Sequence, residues 1–240
     1  MKEIKKTVLI LGSGNDAITV RSLDLSIFSA VVCINNAWQI DTRWTHSIYP
    51  DDFPIEKRAP FYNDSKRHIT AKDYVPLQNL YGGFVYAGGT MAFTAGYWAL
   101  AALKPRVIAY LGCDMIYSEK QTHFYGRGTA DPLRQDISLR NLEAKSCRLE
   151  AHAIDSQCHI INLSQKENSR LTFKKVSLNQ ITSVTSKNLR RYNRKFYELA
   201  KLKEKQCNYF VTDGKYWKKT HLFEGEKVDE IDSYWLRCFS

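Results

Sequence analysis

Val8-Leu9-Ile10-Leu11-Gly12-Ser13-Gly14-Asn15-Asp16-Ala17 joins an apolar run to a glycine-rich turn, and its reading decides the fold class. An unbroken apolar run stopped by glycine reads as a strand buried on both faces. The small residues after it let backbone N–H groups approach an anion at the start of a helix, where the helix dipole favours negative charge. Strand, glycine turn and helix in that order open a doubly wound α/β sheet and place a phosphate cradle at the chain's start.

The pattern continues along the chain. Strands are expected at Thr7 to Leu11, Ala30 to Ile34, His46 to Tyr49, Val107 to Leu111 and His159 to Leu163. Helical stretches are expected between them, at Met91 to Leu103 with Thr90 as N-cap and at about Leu139 to Ser156. Residues 54 to 80 are polar and read as an irregular excursion with a strand at its end. This alternation gives an α/β, Rossmann-like, mainly parallel sheet with helices on both faces. The division expected is a nucleotide-binding domain over 1–175 and a basic, aromatic-containing helical segment over 176–240 docked on it.

Ligands of open α/β sheets bind outside the carboxyl ends of the strands. Those ends carry Gly12 to Asn15, Asn35-Asn36, Asp51-Asp52, Gly112-Cys113-Asp114 and Asn162-Leu163-Ser164. A nicotinamide dinucleotide would want an acid at the end of the second strand to hold its ribose, and Asn35-Asn36 stand there instead. An amide both donates and accepts, which suits a base or a ribose without a carboxylate's charge. A second cluster, Gly112-Cys113-Asp114 through Tyr117 to His123-Phe124-Tyr125-Gly126, marks where chemistry is expected, and with the turn it suggests a nucleotide-using transferase. Asp114 has two readings, a structural or substrate-orienting carboxylate and a metal ligand.

Composition narrows the classes. At 240 residues and 44% hydrophobic content the chain can bury one sizeable core. The longest mostly apolar stretch, Met91 to Leu103, falls short of the ~20 residues that span a bilayer, and no leader pattern is seen, so a cytoplasmic protein is expected. Six cysteines show no zinc spacing and read as reduced, buried thiols. The net charge of +10 concentrates between Lys187 and Lys205, where Leu189, Tyr192, Phe196, Leu199 and Leu202 recur at helical spacing. This basic amphipathic helix has three readings: packing on the domain, lying on an anionic membrane surface, or contacting nucleic acid, the last resting on charge alone.

The succession of strand-Gly-x-Gly-Asn, strand ending in Asn, strand ending near Asp51, Gly-Gly-Thr before an apolar helix, Gly-Cys-Asp-x-x-Tyr and His-Phe-Tyr-Gly resembles the bacterial sialyltransferases of glycosyltransferase family 42 and the related DUF115-type proteins, over roughly residues 5 to 165. The resemblance implies a single-domain GT-A-like variant of the fold. It also implies transfer of an acidic sugar, sialic acid or Kdo in type, from a CMP-activated donor to a glycan or lipid-linked acceptor, with inversion and without cofactor or metal; the basic helix adds the expectation of a peripheral place at the inner face of a membrane. By position, Gly12, Gly14, Asn15, Asn35, Asn36, Asp51 and Asp114 would line the nucleotide, and Gly89-Thr90 would sit by the donor. Tyr117, with Tyr125 as a second donor, would hydrogen-bond the leaving phosphate, and His123 would be the general base. Arg127 and Arg134 read either as a clamp on the sugar's carboxylate or as part of a solvated loop. The chain departs from the family in its first loop, Gly14-Asn15-Asp16 where Gly-Pro-Ser is usual, and in a lid cut to Ser118 to Thr122, both of which point to a different or smaller substrate. The alternative chemistry is a diphosphokinase-like transfer using Mg²⁺ held by Asp51, Asp52 and Asp114.

Overall fold

The computed structural model describes residues 6–60, 65–117, 123–126, 134–183 and 190–240. Five apolar segments become the centre of a parallel sheet because each is stopped by a residue that turns the chain. These are β1 (Thr7–Leu11), β2 (Ala30–Ile34), β3 (His46–Ile48), β5 (Val107–Leu111) and β6 (His159–Asn162). Two short strands, β4 (Arg67–Ile69) and β7 (Lys174–Lys175), finish the edges. The order is β4-β3-β2-β1-β5-β6-β7, every pair parallel. The chain therefore winds outward from β1 to β4, returns to pair β5 with β1, and winds outward again. The direction reverses between β1 and β5, the position where such sheets open a crevice at their carboxyl ends.

Helices cover both faces by different means. On one face α1 (Ala71–Asn79), α3 (Met91–Ala102) and α4 (Leu142–Asp155) pack on Val8, Ile10, Val32, Ile108 and Ile160. On the other, short 3-10 turns supply Ala17, Val20, Leu25, Ala37 and Ile181 against Leu9, Leu11, Val31, Ala109 and Ile161. α3 is apolar all round, as a central buried helix should be, and the Thr90 hydroxyl caps it by accepting from Phe93 N at 3.3 Å.

The excursion over 54–80 is more ordered than its polarity suggested. It holds a 3-10 turn at Ile55–Lys57, then β4, then α1, whose start is fixed by a capping box between Thr70 and Asp73. Pro76 inside α1 hid the helix from a pattern reading.

A third apolar cluster joins α2 (Phe84–Ala87) and α4 to α5 (Arg194–Cys207) and α6 (Gly225–Arg237). α5 turns Tyr197 and Ala200 inward, with Tyr192, Phe196 and Cys207 partly buried beside them. Tyr192 and Phe196 of the expected apolar stripe are thus partly covered by the rest of the protein, whereas Leu202 stays 51% exposed and Leu189 lies outside the described residues. Arg190, just before α5, donates to Glu150 at 3.1 Å and to the carbonyls of Thr172 and Phe239. All six cysteines are free thiols, five of them buried. No helix among the described residues is long and apolar enough to cross a membrane.

Candidate functional site

The glycine turn ties the end of β1 to that of β5, which leaves the N–H groups of Gly12 and Gly14 no part in the phosphate cradle expected there. Gly12 N donates to Leu111 O at 2.8 Å and Gly14 N to Gly112 O at 2.9 Å, so both N–H groups are spent on the last residue of β5 and the one after it. A Cβ on Gly12 would meet Gly112 O at 2.3 Å, which explains the glycine by close approach of backbone rather than of a ligand. The turn opens onto a 3-10 segment, Asn15–Ser22, where an α-helix was expected.

Beside this turn, the second cluster comes together. His123 and Gly126 exchange backbone hydrogen bonds at 3.0 Å, closing a tight turn, and Phe124 N donates to Ser13 O at 3.0 Å. The turn is thereby tied to the mouth between β1 and β5. His123 is buried, its ring centroid 5.9 Å from that of Tyr117 and 5.0 Å from that of Tyr125, on which it stacks at 24°. Burial lowers its pKa from the usual histidine value, favouring the neutral imidazole that can accept a proton. Tyr125 stands 45% exposed at the rim. A cavity of ≈ 40 Å³ lies here, lined by Ser13, Gly14, Asp114, Tyr117, His123 and Lys166. That volume holds on the order of two or three waters.

Asp114 forms the floor. Its carboxylate accepts from Asn162 Nδ2 at 3.1 Å and from the Ser164 hydroxyl at 2.5 Å, and its carbonyl accepts from Arg170 N. These contacts fix the ends of β5 and β6 to each other and account for a buried carboxylate at this position. Asp16, within the turn but not singled out from the sequence, faces the same group. Burial pushes its carboxyl up, Ser164 and Lys166 pull it down, and the neighbouring Asp114 pushes it up again. Oδ1 of Asn35 and Oδ1 of Asn36, at the end of β2, have no hydrogen bond among the described residues. Asn35 takes the left-handed conformation, φ 50°, that turns the chain there. The unmatched buried atoms at this strand end are therefore acceptors, which fit a ligand offering hydroxyl and amino groups.

The remaining expected residues sit elsewhere in the crevice or outside it. Gly89 N donates to the Ser138 hydroxyl, its carbonyl accepts from Arg134 Nη2, and a Cβ there would meet the Tyr216 hydroxyl at 2.2 Å. Arg134 also donates to Asp136 at 3.0 Å, and Asp136 accepts from Tyr216 at 2.8 Å. Burial works to raise the Asp136 carboxyl, and donors from Ser138 and Tyr216 outweigh it, leaving it below the usual range. Arg134 thus belongs to a knot that ties the Gly89-Thr90 turn to Tyr216 of the C-terminal segment. Arg127 and the lid from Ser118 to Thr122 lie outside the described residues.

Asp51 is exposed, its Oδ1 3.4 Å from the Ala71 N–H it accepts from at the start of α1. Three strand spacings, about 14 Å in all, separate the end of β3 from that of β5. Asp51, Asp52 and Asp114 accordingly do not form one metal cluster. Among the described residues no three His, Cys, Asp or Glu side chains are grouped to hold a metal ion.

Comparison with protein-family models, with characterised proteins and with solved structures yields no match to this chain.

Proposed function

We propose that the chain is a transferase for a nucleotide-activated acidic sugar, CMP-linked and of the sialic acid or Kdo type, acting on a hydroxyl of a glycan or lipid-linked acceptor. The observation that carries this reading is the meeting of Tyr117, His123 and Tyr125 at the crevice between β1 and β5. Neutral His123 takes the proton of the acceptor hydroxyl as its oxygen attacks the anomeric carbon. The bond from that carbon to the phosphate oxygen breaks, and CMP departs with the electron pair. Phenol hydroxyls at Tyr117 and Tyr125 hydrogen-bond the charge developing on the phosphate. Lys166, on the cavity wall, adds a positive charge to the same region. The acceptor atoms of Asn35 and Asn36 would take hydroxyl and amino groups of the donor. Because the leaving group already carries its phosphate, departure needs no divalent cation.

Calorimetric titration with CMP in EDTA, followed by transfer assays with CMP-sialic acid and CMP-Kdo, tests the reading. His123→Ala should bind CMP as the parent does and lose turnover on the order of 10²–10⁴-fold. No saturable CMP binding with or without Mg²⁺ would sink the proposal. Binding of a triphosphate only with Mg²⁺ would replace it with the diphosphokinase-like alternative.

A further inference from the structure

A second cavity lies far from that crevice. Its volume is ≈ 400 Å³, within the range of about 300–1,000 Å³ that small-molecule pockets occupy. It opens between the last turns of α4, the face of α5 and the turn at Tyr81-Gly82. α4 runs from the carboxyl edge of the sheet to its amino edge, and His152 stands ten residues beyond Leu142. The cavity is therefore about 15 Å down the helix axis from the strand ends.

His152 sets its chemistry. The residue is 9% exposed and lines the cavity, and its Nε2 has no hydrogen-bond partner among the described residues. Rings enclose it on several sides: Tyr81 edge-on at 5.5 Å, Tyr197 edge-on at 5.7 Å and Trp235 tilted at 5.5 Å. An unmatched polar atom in such surroundings is destabilising, and a ligand bonding to it would recover that loss. Burial, with the nearby charges of Arg148 and Lys201, drives its pKa well below the usual histidine value, so the ring is neutral.

Three ionic groups of the wall are already engaged. Arg148 and Glu204 bind each other, and Asp155 accepts from the hydroxyls of Tyr192 and Tyr197. At the mouth stand two exposed cations one helical turn apart, Lys201 and Lys205, beside Leu80 and Phe210, which are 73% and 41% exposed. Exposed apolar side chains grouped at a concave opening are what a bound ligand would cover.

We propose that this cavity binds a small planar aromatic compound bearing one anionic group. Its ring lies among Tyr81, Tyr197 and Phe210, a hydrogen-bonding group on its edge meets His152 Nε2, and its charge is turned to Lys201 and Lys205. This site is independent of the sugar-transfer reading and stands or falls without it.

The probe is 4-hydroxybenzoate, titrated into the full chain by calorimetry and by NMR of the histidine ring signals, with 4-hydroxybenzylamine as its charge-reversed counterpart. Saturable binding that shifts the His152 signals is expected, with affinity falling about tenfold or more for the amine and for the Lys201→Glu/Lys205→Glu variant. His152→Phe keeps the ring volume and removes the nitrogen, and should weaken binding by a similar factor. If that variant does not fold, the exposed lysine pair still decides the matter. Failure to saturate by about 10 mM, a free energy near −3 kcal/mol or weaker, overturns the proposal. So does equal affinity for the parent and the lysine variant.

Discussion

The guanidinium of Arg148 and the carboxylate of Glu204 form a two-pronged pair, Nε to Oε1 at 2.7 Å and Nη2 to Oε2 at 2.8 Å. Their side chains are 1% and 9% exposed. Around them Trp235 Nε1 donates to Glu204 at 2.8 Å, and Arg148 donates to the Tyr97 hydroxyl and the Tyr81 carbonyl. One pair thus fastens α4 to α5, to α6 and to the central helix α3. Lys145 and Asp232, meeting at 2.7 Å, repeat the device between α4 and α6.

Removing either partner strands a buried charge. Arg148→Ala or Glu204→Ala should therefore cost about 3–5 kcal/mol in urea denaturation. The double replacement Arg148→Met/Glu204→Leu should cost clearly less than the two single changes added together, since it removes both charges. Single variants within about 1 kcal/mol of the parent would show that the pair contributes little to holding the C-terminal segment.

The glycine turn makes a ranked prediction. A Cβ at position 12 meets Gly112 O at 2.3 Å and Cys113 Sγ at 2.5 Å, whereas one at position 14 meets Gly112 O at 2.9 Å. Gly12→Ala must force β1 and β5 apart, and overpacking of this kind costs about 1–3 kcal/mol. Gly14→Ala should cost less. Thermal unfolding of the two variants checks the order, and equal, small shifts would mean that the strand ends separate freely.

How much of this could be read from residues alone depends on sequence separation. The central strands were legible because five-residue apolar runs end in Gly12, Asn35 and Gly112, and the Thr90 cap followed from its place before an apolar run. His123 and Tyr125 were legible as a pair because one turn holds both. The purpose of Gly12 was not, since its partner, Gly112, is brought alongside only by pairing of β1 with β5. Asp16 gives no local signal for the same reason, its neighbours Ser164 and Lys166 arriving from the end of β6. Nothing local marks Lys145 and Arg148 as buried, because Asp232 and Glu204 lie 87 and 56 residues away. The helix α1 did leave a signal, Thr70-x-x-Asp73 before Tyr74, which Pro76 obscured.

Stability should depend on pH through His152. Its folded pKa lies well below the value of about 6.5 it has when unfolded, so the unfolded chain binds the extra proton first as pH falls. The stability tied to the neutral ring is present above pH 6.5 and is lost below it. The loss reaches at most about 1.4 kcal/mol per pH unit for this one group. His152→Phe removes the term, so the gap between parent and variant should shift in the variant's favour from pH 7 to pH 5. Urea midpoints measured across that window would contradict the assignment if the gap stayed constant.

His123 gives the corresponding prediction for activity. As the base it must be unprotonated, and burial lowers its pKa, so the acid limb of kcat/KM for sugar transfer should have its midpoint below about 6.5. The limb belongs to His123 alone if it disappears from the residual activity of His123→Ala. Tyr125→Phe and Tyr117→Phe keep the rings that flank the imidazole and remove the hydroxyls. Each should lower kcat on the order of 10²-fold with the limb unmoved, because a donor to the leaving phosphate acts in the transition state and not on the base. A limb displaced by either phenylalanine, with kcat preserved, would instead make the tyrosines positioning residues for the imidazole and would leave the leaving phosphate to another donor such as Lys166.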